Sequence, residues 1–176
     1  INDIAVMGAL PLAVLDVLIC GKLEKDVVTK LVAAMAGACR EQGCSLLGGE
    51  TSEQPGVLRP GTYVMAASIL GVVDKGAIID GSRICEGDRL LAVASNGLHT
   101  NGYSLVRALL DKHAGLAQER VGAQTFLEAL LEPHTCYLPA LRGLFGDALA
   151  APHGLAHITG GGIAGNLNRI LPKWLD

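Results

Sequence analysis

The sequence predicts an α/β (α+β) protein, and three observations lead to that fold class. The chain of 176 residues is 50% apolar but only 3% aromatic, and it contains 23 glycines. Segments with a helical period alternate with short apolar runs, and several of these runs end in glycine-rich polar loops. This alternation is typical of strand–loop–helix units rather than of an all-β sandwich. The length is sufficient for one domain or two small ones with a real core.

The first half of the chain predicts helices and strands in alternation. The segment 26–41 is the clearest helix, because its apolar residues recur with the 3.6-residue period. The segment 62–73 is apolar on both faces and therefore predicts a central strand. The predicted elements are a short helix at 3–9, a strand at 13–19, a helix at 26–41, a strand at 44–47, a loop at 53–60 and a strand at 62–73.

A polar, turn-rich segment at 74–88 contains three glycines and predicts a domain boundary. We therefore expect one domain at residues 1–80 and another at residues 81–176. The second domain begins with an apolar run that leads through a polar glycine-rich loop into a helix. Its predicted elements are a strand at 89–94, helices at 101–113, 125–131 and 135–145, a strand at 155–158 and a helix at 163–171.

Charge and cysteine content exclude several classes of protein. The formal net charge is −3 and no basic stripe is present, so we expect no nucleic-acid partner. The longest apolar stretch, 4–20, is short for a membrane span and contains Pro11 and Asp16, so we expect no membrane association. No signal peptide is visible, and the five cysteines form no C-x-x-C pair. A reduced, cytoplasmic location with buried cysteines is the simplest interpretation.

Three glycine-rich polar loops follow predicted strands, at 48–51, 95–102 and 159–162. Glycine allows the backbone to approach an anion closely, and backbone N–H groups at a following helix start can bind it. A single loop of this kind is explained by the steric requirements of a turn. Three such loops in one chain favour phosphate binding. The P-loop pattern G-x-x-x-x-G-K-[ST] is absent, so any ATP site uses another scheme.

Three side chains stand out as candidates for chemistry. Asp3 and Glu50 are the carboxylates best placed for Mg²⁺, which prefers carboxylates together with phosphate oxygens and water. The alternatives are a helix N-cap for Asp3 and a solvated loop acid for Glu50. His99 could donate to a phosphate or transfer a proton, or it could bond within its own loop. His153 and His157 lack a cysteine pair, so we expect no zinc site there.

Several motifs resemble the phosphoribosylformylglycinamidine cyclo-ligase, or AIR synthetase, family. They are the segments GGETSEQPG at 48–56, SNGLHTNGYSLVR at 95–107 and HITGGG at 157–162, and Asn2-Asp3-Ile4 resembles the tail of a V-N-D motif. The resemblance runs through the whole chain in order, and the segment 95–107 is its most specific part.

This resemblance implies a two-domain α/β enzyme that forms a homodimer through its N-terminal domain. It implies ATP-dependent ring closure of formylglycinamidine ribonucleotide to aminoimidazole ribonucleotide in purine biosynthesis, through a phosphorylated amide. ATP and Mg²⁺ are the implied cofactors. Both ends look cut, so the chain is expected to be a central fragment with little activity alone. The alternatives are another ATP-using member of the same superfamily, such as selenophosphate synthetase, thiamine-monophosphate kinase or a hydrogenase-maturation factor, or an inactive truncated domain.

The resemblance also implies roles for individual residues. Asp3 and Glu50 are implied Mg-ATP ligands, and Gly48, Gly49 and Thr51 belong to the same cofactor-binding segment. Asn96, His99 and Asn101 are implied to face the phosphates or the reacting amide. The implied cradle for the substrate's ribose 5′-phosphate consists of Thr159, Gly160, Gly161 and Gly162.

The chain departs from the family pattern in two places. A family stretch Pro-Thr-x-x-Tyr corresponds to Pro133-His134-Thr135-Cys136-Tyr137, and E-N-I-P-R corresponds to Gly165-Asn166-Leu167-Asn168-Arg169. Both departures concern the implied detail of substrate-phosphate binding and not the family resemblance itself.

Overall fold

The computed structural model describes residues 1–146 and 151–175. These residues form two compact units, which we describe separately. Unit 1 contains residues 1–79 and 138–152, and unit 2 contains residues 80–137 and 153–176. Both combine helices with strands, which confirms the predicted fold class. The division into domains at residues 80 and 81 stays a proposal.

Unit 1 is built on a three-stranded mixed sheet in the order β2-β1-β3. Strand β1 (Leu10–Cys20) lies in the centre, parallel to β2 (Ser45–Glu53) and antiparallel to β3 (Tyr63–Val72). Helix α2 (Lys25–Glu41) connects β1 to β2, as a parallel pair requires. The predicted helix at 26–41 and the strands at 13–19 and 62–73 are confirmed.

The two faces of this sheet differ in what covers them. Along β1, Val14, Asp16, Leu18 and Cys20 are buried, while Leu15 and Val17 between them are about 40% exposed. Val14 packs in one cluster with Cys39 of α2 and Cys44, so the helix covers the face of the buried residues. The other face is open. Its exposed apolar side chains are Leu15, Val17, Val64 and Leu70.

Strand β2 is longer than predicted and includes the segment 48–51, which was expected to be a loop. The prediction failed because glycine is a turn signal, whereas here it accommodates a neighbouring strand. A Cβ on Gly49 would lie 1.8 Å from the carbonyl oxygen of Asp16, so only glycine fits this pairing. The register shifts between Val14 and Leu15, which leaves Leu47 as a bulged residue, and Gly48 beside it has φ +133°.

The remaining helices of unit 1 are short. Helix α1 (Asn2–Ala5) ends before the predicted residue 9, and a 3₁₀ turn spans Lys75–Ala77. The predicted helix at 135–145 is reduced to α5 (Leu138–Leu141) and a 3₁₀ turn at Arg142–Leu144. Pro139 is tolerated in the first turn of a helix, and this helix begins only one residue before it. The Arg142 guanidinium donates to the carbonyl of Gln42 at 2.9 Å.

Unit 2 contains little regular structure. It has α3 (Tyr103–Lys112), a 3₁₀ turn (Leu116–Gln118), the two-residue strands β4 (Arg120–Val121) and β5 (Gln124–Thr125), α4 (Phe126–Leu130) and α6 (Gly162–Leu167). The helices predicted at 101–113 and 125–131 are confirmed within two residues at each end. The helix predicted at 163–171 ends at Leu167, five residues before Pro172.

The strands predicted at 89–94 and 155–158 are wrong. Neither segment pairs with a strand among the described residues. A strand is stable only when a neighbour satisfies its backbone groups. Leu90, Leu91 and Val93 are accordingly 78%, 90% and 74% exposed. The apolar run could not show whether a partner strand is present.

All five cysteines are free thiols. Cys20, Cys39 and Cys44 are buried as expected, whereas Cys85 is exposed and Cys136 is half-buried. The expectation that all five are buried is therefore wrong for Cys85, which lies in a turn.

Within 1–146 and 151–175, no helix combines the length and the apolar character needed to cross a bilayer.

Candidate anion-binding site

A cavity of about 220 Å³ lies within unit 2, and two of the three predicted loops meet there. The loop at 95–102 contributes His99 and Asn101, and the segment leading into 159–162 contributes His157 and Thr159. His134 completes the polar lining, together with Ser95. The residues that line the cavity are Ser95, Gly97, Leu98, His99, Asn101, His134, His157, Ile158 and Thr159. Three imidazoles, an amide and two hydroxyls are groups suited to bind an anion.

The Asn96 side chain holds the loop 95–101 against the segment 133–137. Its Nδ2 donates to the carbonyl of Pro133 at 2.8 Å, and its Oδ1 accepts the N–H of Thr135 at 3.4 Å. These two bonds fix the orientation of the amide, so that Oδ1 is the atom 2.7 Å from Nε2 of His99. The Asn96 backbone N–H also points at Nε2, at 3.3 Å, so two contacts compete for this atom. The shorter one, to an oxygen that can only accept, assigns the proton to Nε2 and leaves Nδ1 as the acceptor. The Asn96 side chain therefore orients His99, and both of its polar atoms bond to groups of the protein.

The backbone of His99 is in the left-handed region, with φ 55°. Among residues 1–146 and 151–175, it is the one non-glycine residue with a positive φ. Such a conformation costs of order 1 kcal/mol or more and persists only where the surroundings enforce it. This strain and the bond to Asn96 indicate that the position of the His99 ring is imposed by the fold.

His134 and Tyr137 were not predicted as site residues. The His134 ring stacks on His99, with 3.8 Å between centroids and 19° between planes. Its centroid is 6.4 Å from that of His157, and the Tyr137 ring is 6.1 Å from His99. The only signal in the sequence was that His134 stands where the resembled family pattern has threonine.

Asn166 is another site residue that the sequence did not reveal. It is 3% exposed, and its Nδ2 lies 2.7 Å from the carbonyl of Gly162, 3.2 Å from that of Gly160 and 3.4 Å from that of Thr159. Its Oδ1 accepts the Thr159 hydroxyl at 3.2 Å. One buried amide therefore determines the shape of the loop 159–162. An asparagine in a short apolar helix carries no spacing signal that could predict this role.

Thr159 lines the cavity, but Gly160, Gly161 and Gly162 do not. Gly160, Gly162 and Gly165 also have the spacing G-x-G-x-x-G, the dinucleotide-binding fingerprint. That fingerprint requires a preceding strand and a following helix. Here no strand is described before it, and the helix has six residues. The spacing therefore does not make this segment a dinucleotide site.

A second, more open groove of about 560 Å³ lies at the start of α3. It shares His99 and Asn101 with the cavity and adds Arg107 and Ser104 from the helix. Helix α3 has ten residues, and no side chain caps its first N–H groups. Uncapped N–H groups and a guanidinium favour negative charge there. His99 and Asn101 therefore border two spaces suited to anions.

The other predicted site residues lie in unit 1. Gly48, Gly49, Glu50 and Thr51 are all part of strand β2, at the edge of the sheet. Glu50 pairs with Val17 and is exposed, so its carboxylate lies on the open face. Asp3 lies inside α1, whose N-cap is Ile1, so the alternative interpretation of Asp3 as an N-cap is wrong.

Three potential metal ligands, Cys85, Asp88 and His153, lie within 4.8 Å of one another in unit 2. The distance from His153 Nδ1 to Asp88 Oδ2 is 2.7 Å, whereas two ligands of one tetrahedral zinc are about 3.3 Å apart. The Cys85 N–H also donates to Asp88, and together with His153 it holds the pKa of this carboxyl below its usual value. The hydrogen bond to Asp88 raises the pKa of the Cys85 thiol. The contacts are those of a hydrogen-bonded turn with an ion pair.

Comparison with known proteins identifies the family. The model of "AIR synthase related protein, N-terminal domain" matches residues 1–73, and that of the C-terminal domain matches residues 86–174. A phosphoribosylformylglycinamidine cyclo-ligase of Sorangium cellulosum is 46% identical over 178 residues, covering 99% of this chain and 51% of the relative.

A cyclo-ligase of Trichlorobacter lovleyi is 46% identical over 176 residues, covering 98% of this chain and 50% of the relative. Among solved structures, a HypE–HypF complex is similar with a TM-score of 0.49 and 23% identity, covering 71% of this chain and 38% of that one. The chain spans about half the length of the curated relatives that it matches. With both of its halves matched in order, the chain belongs to the AIR synthase family.

Proposed function

We propose that the full-length protein closes the imidazole ring of aminoimidazole ribonucleotide from formylglycinamidine ribonucleotide, using ATP and releasing ADP and phosphate. The name of the relatives at 46% identity supports this reaction class. The observation that carries the proposal is the cavity in which His99, Asn101 and Thr159 meet. It combines proton-transfer and anion-binding groups at one place.

In the proposed reaction, the formyl amide oxygen attacks the γ-phosphorus of ATP, and ADP leaves. The amidine nitrogen then attacks the activated carbon, the ring closes, a proton is lost, and phosphate departs. An amide oxygen is a poor leaving group, and phosphorylation converts it into a good one. Most of the rate increase in phosphoryl transfer comes from positioning and charge stabilisation.

The residues of unit 2 have complementary roles in this proposal. Asn101 and Arg107 bind phosphate oxygens in the groove at α3, and Thr159 positions the substrate phosphate near the cavity. The Nδ1 of His99 accepts the proton released on ring closure, since Nε2–H is held by Asn96. Asn96 serves as the residue that orients His99.

The donor set of unit 1 fits a magnesium ion. Glu50 offers a carboxylate on an exposed edge strand, and Asp3 offers a second exposed carboxylate. Thr51 follows Glu50 in the strand, so its hydroxyl lies on the opposite face of the sheet. Oxygen donors of this kind are those that Mg²⁺ prefers. Bound there with ATP, Mg²⁺ would neutralise phosphate charge, and Gly48 and Gly49 would leave the backbone accessible to the nucleotide.

The proposed dimer uses the open face of the sheet in unit 1. Leu15, Val17, Val64 and Leu70 are each 40–55% exposed there. Adjacent exposed apolar side chains of this kind mark interaction surfaces. Light scattering of the chain is expected to show a dimer, and Val17→Lys is expected to produce monomers. Leu131→Lys, at a 71% exposed position in unit 2, is the matched control. A monomeric unmodified chain would contradict the dimer.

Turnover of formylglycinamidine ribonucleotide by the full-length protein tests the reaction. His99→Ala is expected to lower kcat by about 10²-fold or more, the usual contribution of a positioned acid or base. His113→Ala replaces an exposed histidine at the end of α3 and should leave kcat unchanged. No ATP-dependent product from the unmodified protein would reject the proposal, and unaltered turnover in His99→Ala would remove His99 from the site.

A further inference from the structure

We propose that His134 is a positioning residue of this cavity and that its ring fixes the plane of the His99 imidazole. The inference rests on the proposed anion-binding function of the cavity. His134 lies between two residues of the cavity lining, with its ring centroid 3.8 Å from His99 and 6.4 Å from His157.

One hydrogen bond does not determine where an imidazole ring lies. The hydrogen bond to the Asn96 amide oxygen fixes the Nε2 atom of His99, but the ring can still turn about the axis that runs from its Cβ toward this atom. A nearly parallel neighbour at stacking distance restricts the ring plane. Asn96 and His134 therefore have separate functions, because one fixes an atom and the other fixes the plane.

The segment that carries His134 is itself held in place. Asn96 bonds to Pro133 and Thr135, the residues on either side of His134. The hydroxyl of Tyr137 donates to the carbonyl of Ala94 at 2.9 Å. These bonds tie the segment 133–137 to residues 94–96, so the backbone that carries His134 is held beside His99.

Site geometry matters because anion binding depends on fixed donors. His99 borders both the cavity and the groove at α3, so rotation of its ring would alter both spaces. A group held in place before binding loses less conformational freedom when the ligand arrives. Removing His134 should therefore weaken anion binding even where no His134 atom touches the anion.

Nuclear magnetic resonance of the 176-residue chain tests this role through two readouts. The first is the ¹H–¹⁵N tautomer pattern of His99 at about pH 8, where an ordinary imidazole is neutral. The second is titration with inorganic phosphate, followed at the Thr159 amide. The variants are His134→Ala, which removes the ring, and His134→Phe, which keeps a flat ring without nitrogens. His113→Ala is the control outside the cavity.

We expect a defined Nε2–H pattern for His99 in the unmodified chain, in His134→Phe and in His113→Ala. In His134→Ala, the pattern should average between tautomers. Phosphate affinity should fall between about twofold and tenfold in His134→Ala, which is the range that an aromatic contact is worth. It should change less than about twofold in His134→Phe.

Two results would overturn the positioning role. One is a His99 pattern that His134→Ala leaves unchanged. The other is a His134→Phe variant as impaired as His134→Ala, since that would assign the effect to a ring nitrogen. If the unmodified chain binds no phosphate while the tautomer patterns follow expectation, the proposed anion site fails and the positioning role stands.

Discussion

Units 1 and 2 achieve their structure by different means. In unit 1, three strands satisfy one another's backbone groups, and a helix covers one face of the sheet. In unit 2, the strands have two residues each, and the apolar run at 89–94 is exposed and pairs with no described strand. The difference teaches that an ordered polar site does not require a sheet directly beneath it.

In unit 2, hydrogen bonds from side chains to the backbone hold the loops in position, as strand pairing does in unit 1. Asn96 and Tyr137 tie the loop at 95–101 to the segment 133–137. The hydroxyl of Tyr103 donates to the carbonyl of Leu130 at 2.6 Å, and Asn166 holds the loop 159–162. Each of these bonds depends on a single side chain. The stability of unit 2 should therefore be more sensitive to the loss of polar side chains, and the stability of unit 1 to changes in strand packing.

The largest expected effect is in unit 1. Gly49→Ala would place a Cβ 1.8 Å from the Asp16 carbonyl oxygen and force β1 and β2 apart. We expect the free energy of unfolding to fall by about 3 kcal/mol or more, measured by denaturant titration.

Gly37→Ala is the matched control for that substitution. Gly37 lies within α2, and a Cβ there meets nothing within 4 Å. Alanine should stabilise the helix by about 0.5–1 kcal/mol. If Gly49→Ala unfolds at the same denaturant concentration as the unmodified chain, the contact between β1 and β2 does not determine the stability of unit 1.

Asn166→Ala gives the second-largest effect and concerns unit 2. It removes the donor that the carbonyls of Thr159, Gly160 and Gly162 share, and a typical hydrogen bond contributes about 0.5–1.5 kcal/mol. We expect a loss of about 2 kcal/mol in the free energy of unfolding together with weaker phosphate binding. Asn168→Ala, at an exposed position at the end of α6, should change neither. Equal effects of both variants would show that Asn166 does not shape the loop.

Thr125→Ala should have a smaller effect because it removes a local feature. Thr125 and Glu128 form a capping box at the start of α4, in which each side chain bonds to the other residue's backbone N–H. We expect a loss of about 1 kcal/mol in thermal unfolding experiments. Thr29→Ala, in the exposed middle of α2, should be neutral or slightly stabilising. A neutral Thr125→Ala would indicate that α4 depends on packing instead of on its cap.

The smallest expected effect is the pH dependence of the turn at Cys85–Asp88. The pKa of Asp88 is lowered in the folded chain, first by the Cys85 N–H and then by His153. Its contribution to stability is therefore present above the unfolded pKa of about 3.9 and lost as the pH falls through the folded value. The difference in melting temperature between the unmodified chain and Asp88→Asn should shrink below about pH 4. Asp111→Asn is the control, and a constant difference across the pH range would contradict this assignment.

Periodicity predicted the elements whose environment is regular. Helix α2 and strand β1 were predicted because their apolar residues follow helical or strand geometry against a single core. Strand β2 was predicted too short because Gly48 and Gly49 are typical of turns, and only the close approach of Asp16 explains them. The run at 89–94 was predicted as a strand because local sequence does not specify whether a partner strand exists.

The candidate site was only partly predictable, because local sequence marks some of its residues and only tertiary contacts mark the others. His99 and Asn101 stand out as polar residues between glycines, and the structure places both at the cavity together with Thr159. Asn166 and His134 lie 7 and 35 residues from the loop positions that they contact, at Thr159 and His99, and no local pattern marks either residue. Their roles depend on tertiary contacts. The proposed roles of Asp3 and Glu50 remain predictions.

Leu47, the bulged residue of strand β2, determines on which face of the sheet the Glu50 carboxylate lies. If Leu47 paired with Leu15 and the register continued without a shift, Glu50 would lie opposite Leu18 instead of Val17. Leu18 is fully buried on the face of the sheet that helix α2 covers, so a carboxylate beside it would be removed from water. The bulged Leu47 therefore determines which face of the sheet each later residue of β2 occupies. A change that drew Leu47 into the pairing would send every later side chain of the strand to the opposite face, whereas deletion of Leu47 would leave Gly48 opposite Leu15 and Glu50 opposite Val17.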